Sequence, residues 1–330
     1  MRVLITADLH LTNRPLDSYR WEFFQWLREQ RFETLVILGD LADDKDFHCS
    51  TFVNRVVEEL TTLTEAGHEV HLLMGNHDYS CPDSPFFEFL KHYPGCYYHA
   101  TPQIWELGNM RWAFYPHSRE PSKYLSDMRR GEDVAVDFTL CHQMFNGAVS
   151  EHGKQLEGWR VGSLSGAGKV FAGDVHVPQV VGDVEYVGAP YPIHFGDNYK
   201  PHVVVVNSEG RQWSYLKPPS LRKLVVEVSD PSQIEFDSRW QAGDQVKVVL
   251  KIGRSDFGRW EHYRKQVRRI CERNELVLCG IELKERIRVR LTTPARSAVV
   301  GISRDEQFRQ YCKHAGIDKN DAGYGSLLLV

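Results

Sequence analysis

Apolar positions along this chain come in short runs that stop abruptly at polar residues. Residues 1–7 form one run, and 34–38 and 70–74 form two more. Runs of this length, closed by Gly, Asn or Asp, read as strands buried on both faces. Between them the period changes. Trp21, Phe24 and Leu27 recur at helical spacing within 19–28, and apolar residues at 52, 53, 56, 57, 60 and 63 mark a second helix over 52–63. Strand–helix–strand–helix–strand at this pitch predicts a parallel, doubly covered sheet. Further strands are expected at 111–115, 137–141, 169–172, 184–187 and 202–206. Fewer helices separate these, so part of the stretch is read as an antiparallel second sheet. Lys217-Pro218-Pro219-Ser220 is stiff and helix-breaking and reads as a linker. Beyond it, strands at 224–228, 245–252 and 276–283 and a helix at 257–274 make a compact α+β unit. The expected division is 1–216, 221–300 and a tail, 301–330, which is a candidate partner-binding segment.

Composition narrows the class. With 42% hydrophobic and 25% charged residues, 330 residues support a packed core, and disorder as the main state is excluded. No apolar run approaches the ~18 residues of a membrane span. The N-terminal run turns acidic too soon for a signal peptide, so cytoplasm is expected, the host's if a phage encodes the chain. Seven widely scattered cysteines without a Cys-x-x-Cys pair argue for a reducing compartment and against a disulfide scaffold or zinc–thiolate site. The net charge of −4 conceals an asymmetry: residues 1–220 carry −10, whereas 221–300 carry +6.

The polar residues that close the strands carry the chemistry. Asp8-Leu9-His10 follows the first strand, Gly39-Asp40-Leu41-Ala42-Asp43 the second and Gly75-Asn76-His77-Asp78 the third. His142 follows the strand at 137–141, and Gly173-Asp174-Val175-His176 the strand at 169–172. In an open α/β sheet, ligands gather beyond the carboxyl ends of the strands, so these five loops are expected to meet. The donors are oxygen and nitrogen, a set for Mn, Fe, Mg or Zn rather than a soft-metal cage. Their number suffices for two cations sharing one carboxylate. Glycine before Asp40, Asn76 and Asp174 is read as the residue that turns the backbone off the strand. A Gly-Asp pair by itself is more often an ordinary turn; the ordered set of five points to one site.

These motifs resemble the signature of the calcineurin-like metallophosphoesterases: D-x-H, G-D-x-x-D, G-N-H-D/E, a single His, then G-H-x-H. The resemblance covers residues 1 to about 215 and implies a two-sheet α/β sandwich with a smaller capping domain. It implies that Asp8, His10, Asp40 and His176 hold one metal, and that Asp40, Asn76, His142 and Asp174 hold the other. Two divalent ions are expected, Mn foremost and Mg as the alternative. His77 would face the scissile phosphate and stabilise charge or protonate the leaving oxygen. Asp43 would orient His77 from behind. Asp174 departs from the signature, standing where the first His of G-H-x-H belongs. That substitution adds charge and hardness to the second site, or weakens it.

Finer likenesses point to a substrate. Tyr186-Val187-Gly188-Ala189-Pro190-Tyr191, then Phe195-Gly196-Asp197, looks like the segment after the last metal motif of SbcD-type DNA exonucleases, including those of T-even phages. The stretch from Glu272 to Lys284 looks like part of their capping domain. That likeness implies a DNA exonuclease, alone or with endonuclease activity, acting in repair or recombination. It further implies a dimer and an SbcC-like coiled-coil ATPase as partner, since this chain holds no nucleotide-binding motif. Apolar residues in the two N-terminal helices are the expected dimer surface. The helix at 257–274 carries Arg264, Lys265, Arg268 and Arg269, read either as a clamp on the phosphate backbone or as an ordinary solvated face. Two other readings stay open: a phosphatase or cyclic-nucleotide phosphodiesterase of the same fold, and an inactive metal-bound scaffold in a repair complex. Histidines outside the motifs (48, 68, 71, 92, 99, 117 and 152) are expected at the surface or hydrogen-bonded in the core. Residues 163–169 imitate part of a phosphate loop but lack its spacing and precede a strand.

Overall fold

The computed structural model describes residues 1–120, 135–160, 168–209, 211–234 and 240–285. Residues 163–167 of the phosphate-loop look-alike, the tail at 301–330 and the last residues of the 221–300 unit lie outside the described residues. Met1–Arg286 pack as one compact unit.

The first sheet has a parallel half made of β1 (Arg2–Thr6), β2 (Thr34–Ile37), β3 (Glu69–Leu73) and β4 (Cys96–His99). An antiparallel edge is added by β11 (Val203–Asn207) and β12 (Gln212–Leu216), giving the order β12-β11-β1-β2-β3-β4. Both faces of β1, β2 and β3 are buried, which is why these strand sequences are largely apolar rather than alternating. Leu4, Leu35, Ile37, Val70 and Leu72 pack against helices α1 (Tyr19–Arg28) and α2 (Ser50–Glu65). Val3, Ile5, Val36 and Leu73 point the other way, onto a second sheet.

That second sheet comprises β5 (Gln103–Leu107), β6 (Met110–Tyr115), β7 (Phe138–His142), β8 (Lys169–Gly173), β9 (Gln179–Val181) and β10 (Val184–Tyr186). Its order is β5-β6-β7-β8-β10-β9. The expectation of an antiparallel sheet holds only at its two edges; β6, β7, β8 and β10 run parallel. This orientation directs the carboxyl ends of β7 and β8 to the same rim as β6. Trp112, Phe114, Phe138, Leu140 and Phe171 fill the space between the sheets.

A third, all-parallel sheet contains β13 (Lys223–Val228), β14 (Gln245–Ile252) and β15 (Val277–Glu285). Helix α3 (Trp260–Arg273) is the crossover between the last two strands and covers Val246, Val248 and Leu250 with Tyr263 and Val267. The apolar residues of α1 and α2 that suggest a self-association surface are buried in the core: Trp21, Phe23, Phe24 and Leu27 from one helix, Phe52, Val56, Leu60 and Leu63 from the other. No helix among the described residues is long and apolar enough to cross a membrane.

Two histidines lie inside this sandwich. His71 Nδ1 and His99 Nε2 are 2.9 Å apart, and Gln103 accepts from His99. Both rings stack on Phe114 of the facing sheet. Burial pushes His71 down to about 3 and His99 down to about 4. Their unfolded values lie near 6.5, so between about pH 6.5 and 4 the unfolded chain binds more protons and stability falls on acidification. Each histidine steepens that fall by up to about 1.4 kcal/mol per pH unit. Thermal melts across this range should show the loss, and a His71→Gln/His99→Gln double variant should show a shallower one.

Candidate metal centre

All five motif loops leave the sheets at one rim. Backbone bonds tie them together: Asp8 N donates to Gly39 O, His10 N to Asp40 O, and Asp174 N to the Asp8 carboxylate at 3.1 Å. Six described non-glycine residues adopt positive φ, and four of them stand here: Asp8 (53°), His10 (43°), Asp40 (52°) and Asp174 (81°). Side chains in that region are strained, and the strain persists only where surrounding contacts over-determine it. The glycines serve closeness more than turning. A Cβ on Gly39 would fall 2.3 Å from His142 Nδ1, and one on Gly75 would fall 2.3 Å from Asp40 N. Of the three glycines preceding Asp40, Asn76 and Asp174, only Gly39 takes a left-handed φ, at 85°.

Asp8, His10, Asp40, Asn76, His77, His142, Asp174 and His176 converge in one pocket. Donor atoms of Asp8, His10 and His176, of His10, Asp40 and His77, and of Asp8, Asp40 and His142 each lie within 4.8 Å of one another. Asp8, His10 and Asp40 each belong to two of these groups, and Asp40 lies 3.4 Å from His10 Nε2 through one oxygen and 3.4 Å from His142 Nε2 through the other. Asp174 lies 3.8 Å from His142 Nε2.

The donors fit cations and do not satisfy one another. Asp8 Oδ2 and His176 Nδ1 are buried with no hydrogen-bond partner among the described residues. His10 Nε2 and His176 Nε2 stand 3.1 Å apart. Burial drives both rings neutral, pushing His10 down and His176 down to about 3, so this pair carries no positive charge to share. The tip of the Asn76 amide lies 2.9 and 3.0 Å from the two Asp40 oxygens and 3.0 Å from His142 Nε2. Without a cation the amide nitrogen belongs at that point, donating to Asp40; with one, the oxygen does. The carboxylates tell the same story. Burial raises Asp8 and Asp174, while the positively charged His142 foremost, with the His77 backbone N–H, overcomes the burial of Asp40 and holds it below its ordinary value. Burial is likewise overcome at His142, which the three aspartates raise to about 9. Three buried carboxylates beside so little positive charge cannot all ionise, and divalent cations remove that conflict. Asp8, His10, Asp40 and His176 would hold one ion, and Asp40, Asn76, His142 and Asp174 the other.

His77 is half-buried, with its ring 4.7 Å from that of His10. The group of Asp43 that meets its ring is the main-chain carbonyl, not the side chain. His77 Nδ1 donates to the main-chain carbonyl of Asp43 at 2.6 Å. The Asp43 carboxylate turns instead towards His10 Nδ1, at 3.3 Å, and Arg14, at 3.4 Å. Burial would raise Asp43, but His10, Arg20 and Arg14 outweigh it and hold the carboxyl at about 2. The reason is local: the loop after Asp40 closes back over β1, which brings the Asp43 side chain onto the loop that follows that strand. Lys265, Arg268 and Arg269 are exposed on α3, and Arg264 is half-buried and paired with Glu261 at 3.0 Å; none of the four belongs to the metal cluster.

Two residues of the rim carry no sequence expectation as site residues. Asp78 accepts from the backbone N–H groups of Gly75 (2.7 Å), Asp40 (3.0 Å) and Leu41 (3.0 Å), clamping two motif loops with one carboxylate. Its presence in Gly-Asn-His-Asp was the available signal. His117 follows β6 at the same rim, ring to ring 6.0 Å from His142, and pairs with the Tyr79 hydroxyl at 2.7 Å. It follows a strand end as the others do, but Tyr-Pro-His lacks the Gly-Asp mark.

The sequence profile of the calcineurin-like phosphoesterase family matches residues 1–178. This chain belongs to that family. The matched residues take in β1 to β8 and all five converging loops, from Asp8 to His176. Two UDP-2,3-diacylglucosamine hydrolases from Vibrio vulnificus strains are 35% identical to the chain over 85 residues, and one from Cellvibrio japonicus is 38% identical over 87. These matches take in 24% of this chain and 34% of each relative, so the chain spans about a third of the length of the curated relatives it matches. A solved structure described as a novel archaeal phosphodiesterase overlays 66% of this chain and 99% of its own with a TM-score of 0.37 and 13% identity.

Removing the Asp78 carboxylate leaves three buried N–H groups without acceptors, each costing about 1–3 kcal/mol. Asp78→Ala should therefore lose about 3 kcal/mol or more in urea unfolding. It should also weaken Mn²⁺ binding in a calorimetric titration. Asp174→His restores an imidazole to the second site; it should keep activity and shift preference from Mn and Mg towards softer ions, read by metal content and by activity across a metal series.

Proposed function

We propose that this chain is a metal-dependent phosphoester hydrolase and, more finely, a DNA exonuclease of the SbcD type, with endonucleolytic cleavage as a further capacity of the same site. The observation that carries the reading is the basic helix packed on the third sheet, in a chain whose metal centre is acidic. Helix α3 buries Tyr263, Val267 and Cys271 and turns Lys265, Arg268, Arg269 and Arg273 to solvent. A cationic helix face of this kind binds a phosphate backbone without reading its sequence. The segment from Tyr186 to Tyr191 supports the reading as well, since its Tyr191 hydroxyl donates to Leu9 O at 2.7 Å and so braces the first metal loop.

In this reading the ions, when bound, neutralise the scissile phosphodiester and lower the pKa of a water for attack in line. The chain's own residues do the rest. Asp8, Asp40 and Asp174 supply the negative charge that localises cations. His77, fixed through Nδ1 by Asp43 O, presents its other nitrogen to the leaving side, where it stabilises charge or gives a proton. Any ATP requirement comes from a partner, an SbcC-like coiled-coil ATPase, and the nuclease works as a dimer. The names of the curated relatives favour a second reading, a small phosphoester substrate on the same centre.

A labelled linear duplex incubated with Mn²⁺, Mg²⁺ or chelator decides between them. The wild type should digest DNA only with metal, and His77→Ser should be slower by about 10²-fold or more. Neutralising Arg264, Lys265, Arg268 and Arg269 together should flatten the salt dependence of DNA binding, by about 0.9 in log–log slope for each phosphate those side chains neutralise in the wild type. Hydrolysis of small esters without DNA cleavage would replace the nuclease reading with the second, and neither activity would leave a metal-bound scaffold.

A further inference from the structure

Three charged residues are buried side by side next to the metal loops, and the metal centre uses none of them as a ligand. Arg20, on α1, is 3% exposed; Asp17, just before that helix, is 6% exposed; Lys223, the first residue of β13, is 5% exposed. Lys223 Nζ donates to Asp17 Oδ1 at 3.2 Å and to Ile193 O at 3.1 Å. Arg20 Nη2 lies 3.4 Å from the same Asp17 oxygen and 3.4 Å from Ile193 O. Its other terminal nitrogen donates to the main-chain carbonyl of His10, and the guanidinium reaches Asp43 at 4.0 Å. Thr12 donates to the second Asp17 oxygen at 3.1 Å. The charges alternate from the third sheet to the metal loop: Lys223, Asp17, Arg20, Asp43.

Burying charge is costly unless each member is paired and hydrogen-bonded, and removing one partner strands the others. What this cluster holds is a strained point. His10 is a non-glycine residue at φ 43°. Its amide is fixed by Asp40 O and its carbonyl by Arg20. The rest of the Arg20 guanidinium is fixed by Asp17, Ile193 O and, through Nε, the Tyr19 hydroxyl, and Asp17, next to Arg20 alone, would draw the guanidinium towards itself. Lys223 shares that Asp17 oxygen with Arg20 and so leaves Arg20 free to span Asp17 and His10.

We propose that Lys223 is a positioning residue for the metal centre: the third sheet holds the His10 loop in ligating geometry through Lys223, Asp17 and Arg20. The third sheet thereby acts on the centre itself, whatever the substrate, and the proposal stands without the nuclease reading.

Lys223→Met keeps the length and removes the charge. The probes are Mn²⁺ alone, in a calorimetric titration, and bis(4-nitrophenyl) phosphate as a small diester, with a thermal melt to establish the folded fraction. The expected result is Mn²⁺ affinity weakened about 10–100-fold, as when a partner behind a metal ligand is removed. The kcat on the diester should fall at saturating Mn²⁺ with KM little changed. Adding Asp17→Asn to Lys223→Met removes the stranded carboxylate and should restore affinity towards the wild-type value. A folded Lys223→Met protein with unchanged Mn²⁺ affinity and kcat would overturn the proposal. So would a loss that Asp17→Asn does not relieve, because Lys223 would then act by packing alone. If Lys223→Met loses its cooperative melt, Lys223→Gln is measured and read in the same way.

Discussion

The structure turns on Asp40, a buried carboxylate that two histidines approach from opposite sides. One oxygen faces His10 and the other His142, each at 3.4 Å, and His77 N donates to the carboxylate at 2.8 Å. A carboxylate so placed can be shared between two cations only if its own backbone is held rigid. That backbone is left-handed at 52°, and its N–H is pinned to Asp78. Asp78 bonds Gly75 as well, so the loop after β2 and the loop after β3 cannot move independently. The fold supplies the rest of the constraint: parallel β1, β2 and β3 end at one rim, and parallel β7 and β8 bring His142 and Asp174 to it from the facing sheet.

Strain and charge are paired throughout this rim. Four residues with positive φ and three carboxylates occupy one small buried volume. Neither is favourable in isolation. Backbone donors satisfy part of the charge: Asp174 N meets Asp8, His77 N meets Asp40, and three N–H groups meet Asp78. What they leave over is the demand for cations, and it is concentrated on atoms without protein partners, such as Asp8 Oδ2. The buried Lys223–Asp17–Arg20 cluster extends the same pairing outward, tying an element far along the chain to the first loop after β1.

The sequence by itself determined the elements with strong periodicity and the loops with distinctive polar closure. Helix α1 at 19–28 and strand β14 at 245–252 agree with the expectation to the residue, because apolar periodicity and flanking breakers mark both. The motif residues from Asp8 to His176 were legible for a chemical reason: buried Asp, His and Asn after an apolar strand have no use without partners. The short strands β4, β5, β9 and β12 were not legible. All four are edge strands, and β5, β9 and β12 carry exposed residues, so no apolar pattern identifies them.

Tertiary structure alone decided how the pieces act on one another. Local sequence does not show that β6, β7, β8 and β10 run parallel, since strand direction depends on where distant segments pair. It does not show that Asp43 holds His77 by its carbonyl and His10 by its carboxylate, because a side-chain direction follows from the path of the whole loop. Nor does it show that Lys223 meets Asp17 across 206 residues of chain. A contact between residues so far apart is fixed by packing, and nothing in the neighbourhood of either residue encodes it.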